Sequence, residues 1–237
     1  MTGAEPRSEF AVEARGIRKR YGFREILRGV DLEVAAGRVF SLFGANGAGK
    51  STLLKIIATR VRPTAGTLRV AGFDSRNDGT ELRRTLGCVL HDHFLRLDLT
   101  LDENLRFYGE LHGVAGCSGR ARELAERFGL GARRNDPVRS FSQGMQKRAT
   151  LARSLLHAPR VWLLDEPFSG LDIAGRALLE SVIAERRAAG ATVLLVTHDP
   201  ESGLRLCDDA ALLERGAVVA RGKQAVAARL CAMGNPA

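Results

Sequence analysis

The chain has 237 residues, 45% hydrophobic and 27% charged, which excludes an intrinsically disordered protein and leaves length enough for a substantial core. Its formal charge of +9 is carried mostly by arginine, with five lysines among 36 basic residues. The arginines are scattered from Arg7 to Arg229 without a dense run, so the charge reads as a composition bias and no nucleic-acid partner is expected.

The polar residues 1–9 lack the apolar stretch of a secretory leader. Residues 30–34 then alternate like a half-exposed strand, and residues 38–43 read as a buried one. After the strand comes Gly44-Ala45-Asn46-Gly47-Ala48-Gly49-Lys50-Ser51-Thr52, followed by a helical stretch. Residues 89–94, Val-Leu-His-Asp-His-Phe, follow a further apolar run, and from about 98 to 155 strand signals give way to helical periodicity broken near 113–119 and 129–134. Two more buried strands are expected at 161–164 and 192–196, and a hairpin at 210–220. Short apolar strands alternating with amphipathic helices predict an α/β fold with a largely parallel sheet and an inserted helical lobe. No run approaches the roughly 18 apolar residues of a membrane span. Cys88, Cys117, Cys207 and Cys231 have no paired metal or redox spacing and read as free thiols.

The phosphate-loop pattern G-x-x-x-x-G-K-[ST] carries the strongest chemical signal. Its glycines let backbone N–H groups converge on nucleotide phosphates, Lys50 adds a point charge at the β and γ positions, and the Ser51 hydroxyl suits Mg²⁺. Strand 161–164 runs into Asp165 and Glu166, which places two carboxylates at the edge where open α/β sheets bind ligands. Asp165 suits Mg²⁺, and Glu166 suits the proton of an attacking water.

From about residue 10 to 222 the chain resembles the nucleotide-binding subunits of ATP-binding cassette (ABC) transporters. Besides the phosphate loop and Asp165-Glu166, residues 141–146, Phe-Ser-Gln-Gly-Met-Gln, resemble the family's signature motif, departing from its commonest form at Gln143 and Met145. Ser169-Gly170-Leu171-Asp172 resembles its dimer-interface loop, and His198 follows a buried strand where the family has a histidine at the γ-phosphate. The resemblance implies a P-loop NTPase core of the ABC ATPase type with an antiparallel β region and an inserted helical subdomain. The core is expected at about 10–91 and 151–222, the helical subdomain at 92–150 and a tail at 223–237. It implies ATP and Mg²⁺ as cofactors, Tyr21 stacked on adenine, and Ser142, Gly144 and Asp172 meeting nucleotide across a head-to-tail pair of subunits. It also implies a multi-span membrane subunit as partner, holding the ATPase at the cytoplasmic face of the membrane.

In the family a glutamine that touches Mg²⁺ and water ends the strand before the helical lobe. Here His91 or Asp92 occupies that position, so the stretch reads as a substituted sensor loop with Asp92 a candidate metal contact. A separate metal site lacks further ligands at useful spacing. Residues 99–114 resemble the haem-exporter ATPases of cytochrome c maturation, which makes haem export the first expectation for cargo and drug, lipid or polysaccharide export the alternative. Phe94, Leu95, Phe107 and Tyr108 are expected in the groove for the membrane subunit. A cassette ATPase acting on nucleic acid or ribosomes would carry a second cassette or a long insertion, and this sequence shows neither.

Overall fold

The computed structural model of the chain describes residues 9–90 and 94–234. The expectations for His91, Asp92 and His93 therefore lie outside the described residues.

Two sheets make the frame. Strands β1 (Phe10–Tyr21) and β2 (Arg24–Ala35) form a long hairpin that, with β4 (Ala65–Val70) and β5 (Phe73–Asp74), gives an antiparallel sheet of order β2-β1-β4-β5. The second sheet combines β3 (Val39–Phe43), β6 (Leu86–Val89), β7 (Val161–Asp165), β8 (Thr192–Val196), β9 (Asp209–Glu214) and β10 (Ala217–Arg221) in the order β10-β9-β3-β8-β7-β6. It is parallel from β9 to β6, and β10 closes it as the antiparallel arm of a hairpin.

Every residue of β3, β7 and β8 is buried, because the sheet is covered on both faces, as parallel sheets must be. Alternate residues serve different cores. Val39, Phe43, Trp162, Leu164, Val193 and Leu195 join one cluster with the helical side of the molecule. Phe40, Leu42, Val161, Leu163, Leu194 and Val196 join another with the antiparallel sheet and helix α1 (Lys50–Ile57). This accounts for the continuous apolar runs in the sequence.

Between β6 and β7 the chain is helical: α3 (Leu101–Leu111), α4 (Cys117–Arg127) and α5 (Gln143–Ser154), with two short 3-10 turns. A capping box starts α3, where Thr100 Oγ1 accepts from the Glu103 N–H (3.1 Å) and the Glu103 carboxylate accepts from the Thr100 N–H (2.8 Å). Buried Leu101, Leu105, Ala121, Leu124 and Phe128 hold this layer to the sheet. Helix α2 (Gly79–Thr85) precedes β6, while α6 (Ile173–Ala188) and α7 (Pro200–Leu206) follow β7 and β8. Residues 223–237 were expected as a tail; 223–232 instead form helix α8 (Lys223–Ala232), which buries Val226 and Leu230 in the core.

Candidate functional site

Strand order assembles the site. The parallel registers bring the carboxyl ends of β3, β8 and β7 side by side, with Leu42 opposite Val196 and Val196 opposite Asp165. The loop after β3, Thr197-His198 after β8, and Asp165-Glu166 at the end of β7 thus face one edge of the sheet, though more than a hundred residues separate the first from the last.

The loop leaves β3 through Gly44, whose φ of 152° and close approach to the Leu213 carbonyl leave no room for a Cβ. Gly49, at φ 108°, is the N-cap of α1. That helix directs its free N–H groups and positive dipole end into a cavity of about 300 Å³. Asn46, Gly47, Gly49, Lys50, Ser51, Thr52, Asp165 and Glu166 line it, joined by Arg24 and Ile26 from β2. Gly44, Ala45 and Ala48 shape the loop from behind: Lys50 Nζ donates to the Gly44 and Ala45 carbonyls (2.6 and 3.1 Å), and Ala48 is buried. Burial lowers the pKa of Lys50, opposed by the attraction of Glu166 and Asp165.

Glu166 has a left-handed backbone, φ 46°. Its N–H donates to the Val196 carbonyl (2.9 Å), and its own carbonyl accepts from Ser169 N–H (3.3 Å) and from Lys147 Nζ (2.9 Å). Its carboxylate meets His198, with Nδ1–H donating to Oε2 at 2.7 Å. The imidazole is otherwise largely open, with 71% of its side chain exposed. A second cavity of about 380 Å³ adjoins the same carboxylates and is lined by Leu90, Gln143, Gln146, Lys147, Ser169 and Gly170.

Ser142, Gly144 and Asp172 do not line the phosphate-loop cavity. Ser142 caps α5 by accepting from the Met145 N–H (3.3 Å), and Asp172 caps α6 by accepting from the Gly175 N–H (2.8 Å). Tyr21 ends β1, half-exposed, with Lys19 Nζ 4.9 Å from its ring centroid; its hairpin partner Arg24 lines the cavity. Sequence reasoning missed Arg24 and Lys147: the first belongs to no motif, the second lies at the end of the signature stretch at a position with no assigned role, and their approach to the site is visible only through packing.

A third cavity, of about 330 Å³, lies where β6 meets α3 and α5. Phe94 and Tyr108 line it, and Leu95 and Phe107 do not. Arg153 donates to the Cys88 carbonyl (2.8 Å) with its guanidinium over the rings of Tyr108 and Phe94. His112 and His157 stack with centroids 3.8 Å apart. Burial, with the neighbouring His112 adding to it, depresses His157 to about 4, and burial lowers His112 as well. Among the described residues no helix is long and apolar enough to cross a membrane.

Comparison with known proteins gives a consistent set of likenesses. Residues 27–169 match the family model described as ABC transporter. The chain is 38% identical over 217 residues to a daunorubicin resistance ATP-binding protein of Streptomyces coeruleorubidus, covering 91% of this chain and 69% of that one. It is 38% identical over 210 residues to the Nod factor export ATP-binding protein I of Ralstonia nicotianae, covering 88% and 65%. The chain thus spans about two thirds of the length of these relatives. Among solved structures it superposes with a TM-score of 0.82 and 27% identity on an ATP-binding cassette determined as a dimer in a post-hydrolysis state with ADP and phosphate, covering 89% of this chain and 97% of that one.

Proposed function

The chain belongs to the ABC transporter ATPases, and from that premise we propose that it binds and hydrolyses ATP at the phosphate-loop cavity to drive export through a separate membrane subunit. The observation that carries the reading is the contact of Glu166 with His198 at the rim of the cavity that holds Lys50.

Backbone N–H groups of the loop and the α1 terminus receive the phosphates, and Lys50 turns its ammonium from the loop carbonyls to the β and γ oxygens. Ser51 and Asp165 share the cavity and offer the hard oxygen donors that suit Mg²⁺; when bound, the ion neutralises charge on the phosphate oxygens. Glu166 accepts the proton of the attacking water as general base. His198 holds that carboxylate through Nδ1–H and presents Nε2 outward to the γ-phosphate. Tyr21, on the hairpin beside the cavity, stacks on adenine. Whether Asp92 or His91 takes the place of the sensor glutamine is decided by Mg²⁺-dependent turnover of Asp92→Asn and His91→Ala.

Because Ser142, Gly144 and Asp172 stand away from their own phosphate loop, they are free to meet the nucleotide of a second copy, in a head-to-tail pair that closes on two ATP molecules. The cavity between β6, α3 and α5 is the seat for the membrane subunit, which holds the pair at the cytoplasmic face of the membrane. Relatives named for daunorubicin resistance and Nod factor export favour an exporter of organic cargo. Haem export gains no support from them.

The decisive experiment incubates the Glu166→Gln chain with MgATP. The expected result is an ATP-bound dimer on size exclusion and arrested hydrolysis; a variant that turns over ATP like the parent removes Glu166 as the base. For cargo, a deletion strain should lose resistance to amphiphilic drugs while its cytochrome c haem content stays normal.

A further inference from the structure

Helix α5 lies against the loop that follows Glu166 at one point and is hydrogen-bonded to Glu166 itself at another. Close to its start, a Cβ on Gly144 would come within 2.9 Å of the Gly170 carbonyl oxygen, so the bare glycine lets the first turn of α5 lie against that loop. One turn further on, Lys147 buries its side chain, with 9% of the residue exposed, and donates from Nζ to the Glu166 carbonyl at 2.9 Å.

Packing alone gives no reason for a lysine there. Burying an ammonium is costly unless it is paired and hydrogen-bonded, whereas a methionine would fill similar space without that cost. Burial lowers the pKa of Lys147, and the attraction of Asp165 and Glu166 opposes the shift. The peptide it holds is unusual too, since a non-glycine residue at φ 46° is strained and persists only where its surroundings over-determine it. The carbonyl that receives Nζ belongs to the residue whose carboxylate reaches His198.

We infer that Lys147 is a positioning residue: it clamps the Glu166 peptide so that the carboxylate stays aimed at His198 and the phosphate-loop cavity, and it passes displacements of α5 to that carboxylate. The inference rests on the reading of Glu166 as general base. In a head-to-tail pair the start of α5 meets the partner's nucleotide, so Lys147 joins the two ATP sites within one chain. An α5 drawn toward one ATP pulls directly on the base that serves the other.

The test measures steady-state ATP hydrolysis by the purified full chain together with MgADP affinity. Lys147→Met should lower kcat at least about tenfold, as expected when a general base is displaced, with the KM for ATP and the MgADP affinity unchanged within twofold. Lys147→Arg, which keeps a cationic donor, should recover kcat to within threefold of the parent. Full kcat in Lys147→Met overturns the inference, as does a fall in kcat matched by an equal loss of nucleotide affinity. If the Met variant does not fold, Lys147→Gln decides on the same two readouts. Glu166→Gln is measured beside them: retained turnover there strikes the general-base reading itself, whereas an inactive Glu166→Gln with a fully active Lys147→Met strikes only the role of Lys147.

Discussion

The phosphate-loop cavity and the groove beside β6 are similar in size, about 300 and 330 Å³, and are built on opposite principles. One is mostly backbone: a loop of glycines and a helix terminus, with two carboxylates delivered by the end of β7, one strand beyond the neighbouring β8. Its charges balance, since Lys50 and Arg24 line it together with Asp165 and Glu166. The other is made of side chains from distant segments, Cys88, Tyr108, His112, Arg153 and His157. No carboxylate stands among its described lining residues, and its imidazoles are driven toward the neutral form. A site for a multiply charged small molecule needs fixed N–H groups that cost no reorganisation, while the side-chain-lined cavity offers the adaptable rim that the proposed protein partner would need.

The contrast predicts that chemistry and stability can be damaged separately. The largest effect belongs to Glu166→Gln, which should cut kcat by roughly 10²- to 10⁴-fold and leave nucleotide affinity and melting temperature near the parent's; parallel loss of affinity would break the separation. Next comes acid. His157 is held at about 4 against an ordinary 6.5, so between those values the unfolded chain binds more protons than the folded one. The stability that this contributes is complete above pH 6.5 and is lost as pH falls through this window, by about 3 kcal/mol. Urea unfolding at several pH values should show that slope, and His157→Gln should remove most of it with ATP affinity unchanged.

Lys50→Ala should weaken MgATP binding about tenfold or more, from the loss of a charge-assisted contact to phosphate, and direct nucleotide titration measures it. The smallest change is Thr100→Ala. Loss of the capping box on α3, which carries Tyr108 to the groove, should cost about 1 kcal/mol in stability without altering turnover. A drop in kcat there would show that the groove wall and the ATP site are less separable than their construction suggests.

Residues 44–52 and Asp165-Glu166 were legible in the sequence because their chemistry depends on local backbone: glycine conformations, a strand leading in, a helix leading out. The central strands were legible for a related reason, since burial on both faces writes itself as an unbroken apolar run. The long hairpin of β1 and β2 was seen only at residues 30–34. Its charged outward positions, Arg15, Arg18 and Arg28 among them, interrupt the apolar pattern, and the pairing that makes it a strand pair lies across the chain. Helix α8 has modest apolar content, and packing against β9, β10 and α7 is what gives Val226 and Leu230 a place to be buried.

What the sequence determined by itself is the type of chemistry, because each motif encodes its own geometry over a few residues. The tertiary structure alone decided which charges meet. The order β3-β8-β7 brings His198 onto Glu166 across 32 positions of chain, and the docking of α5 brings Lys147 under the Glu166 carbonyl from 19 positions away. Such encounters are set by strand order and helix packing, which are properties of the whole core and are written in no single segment.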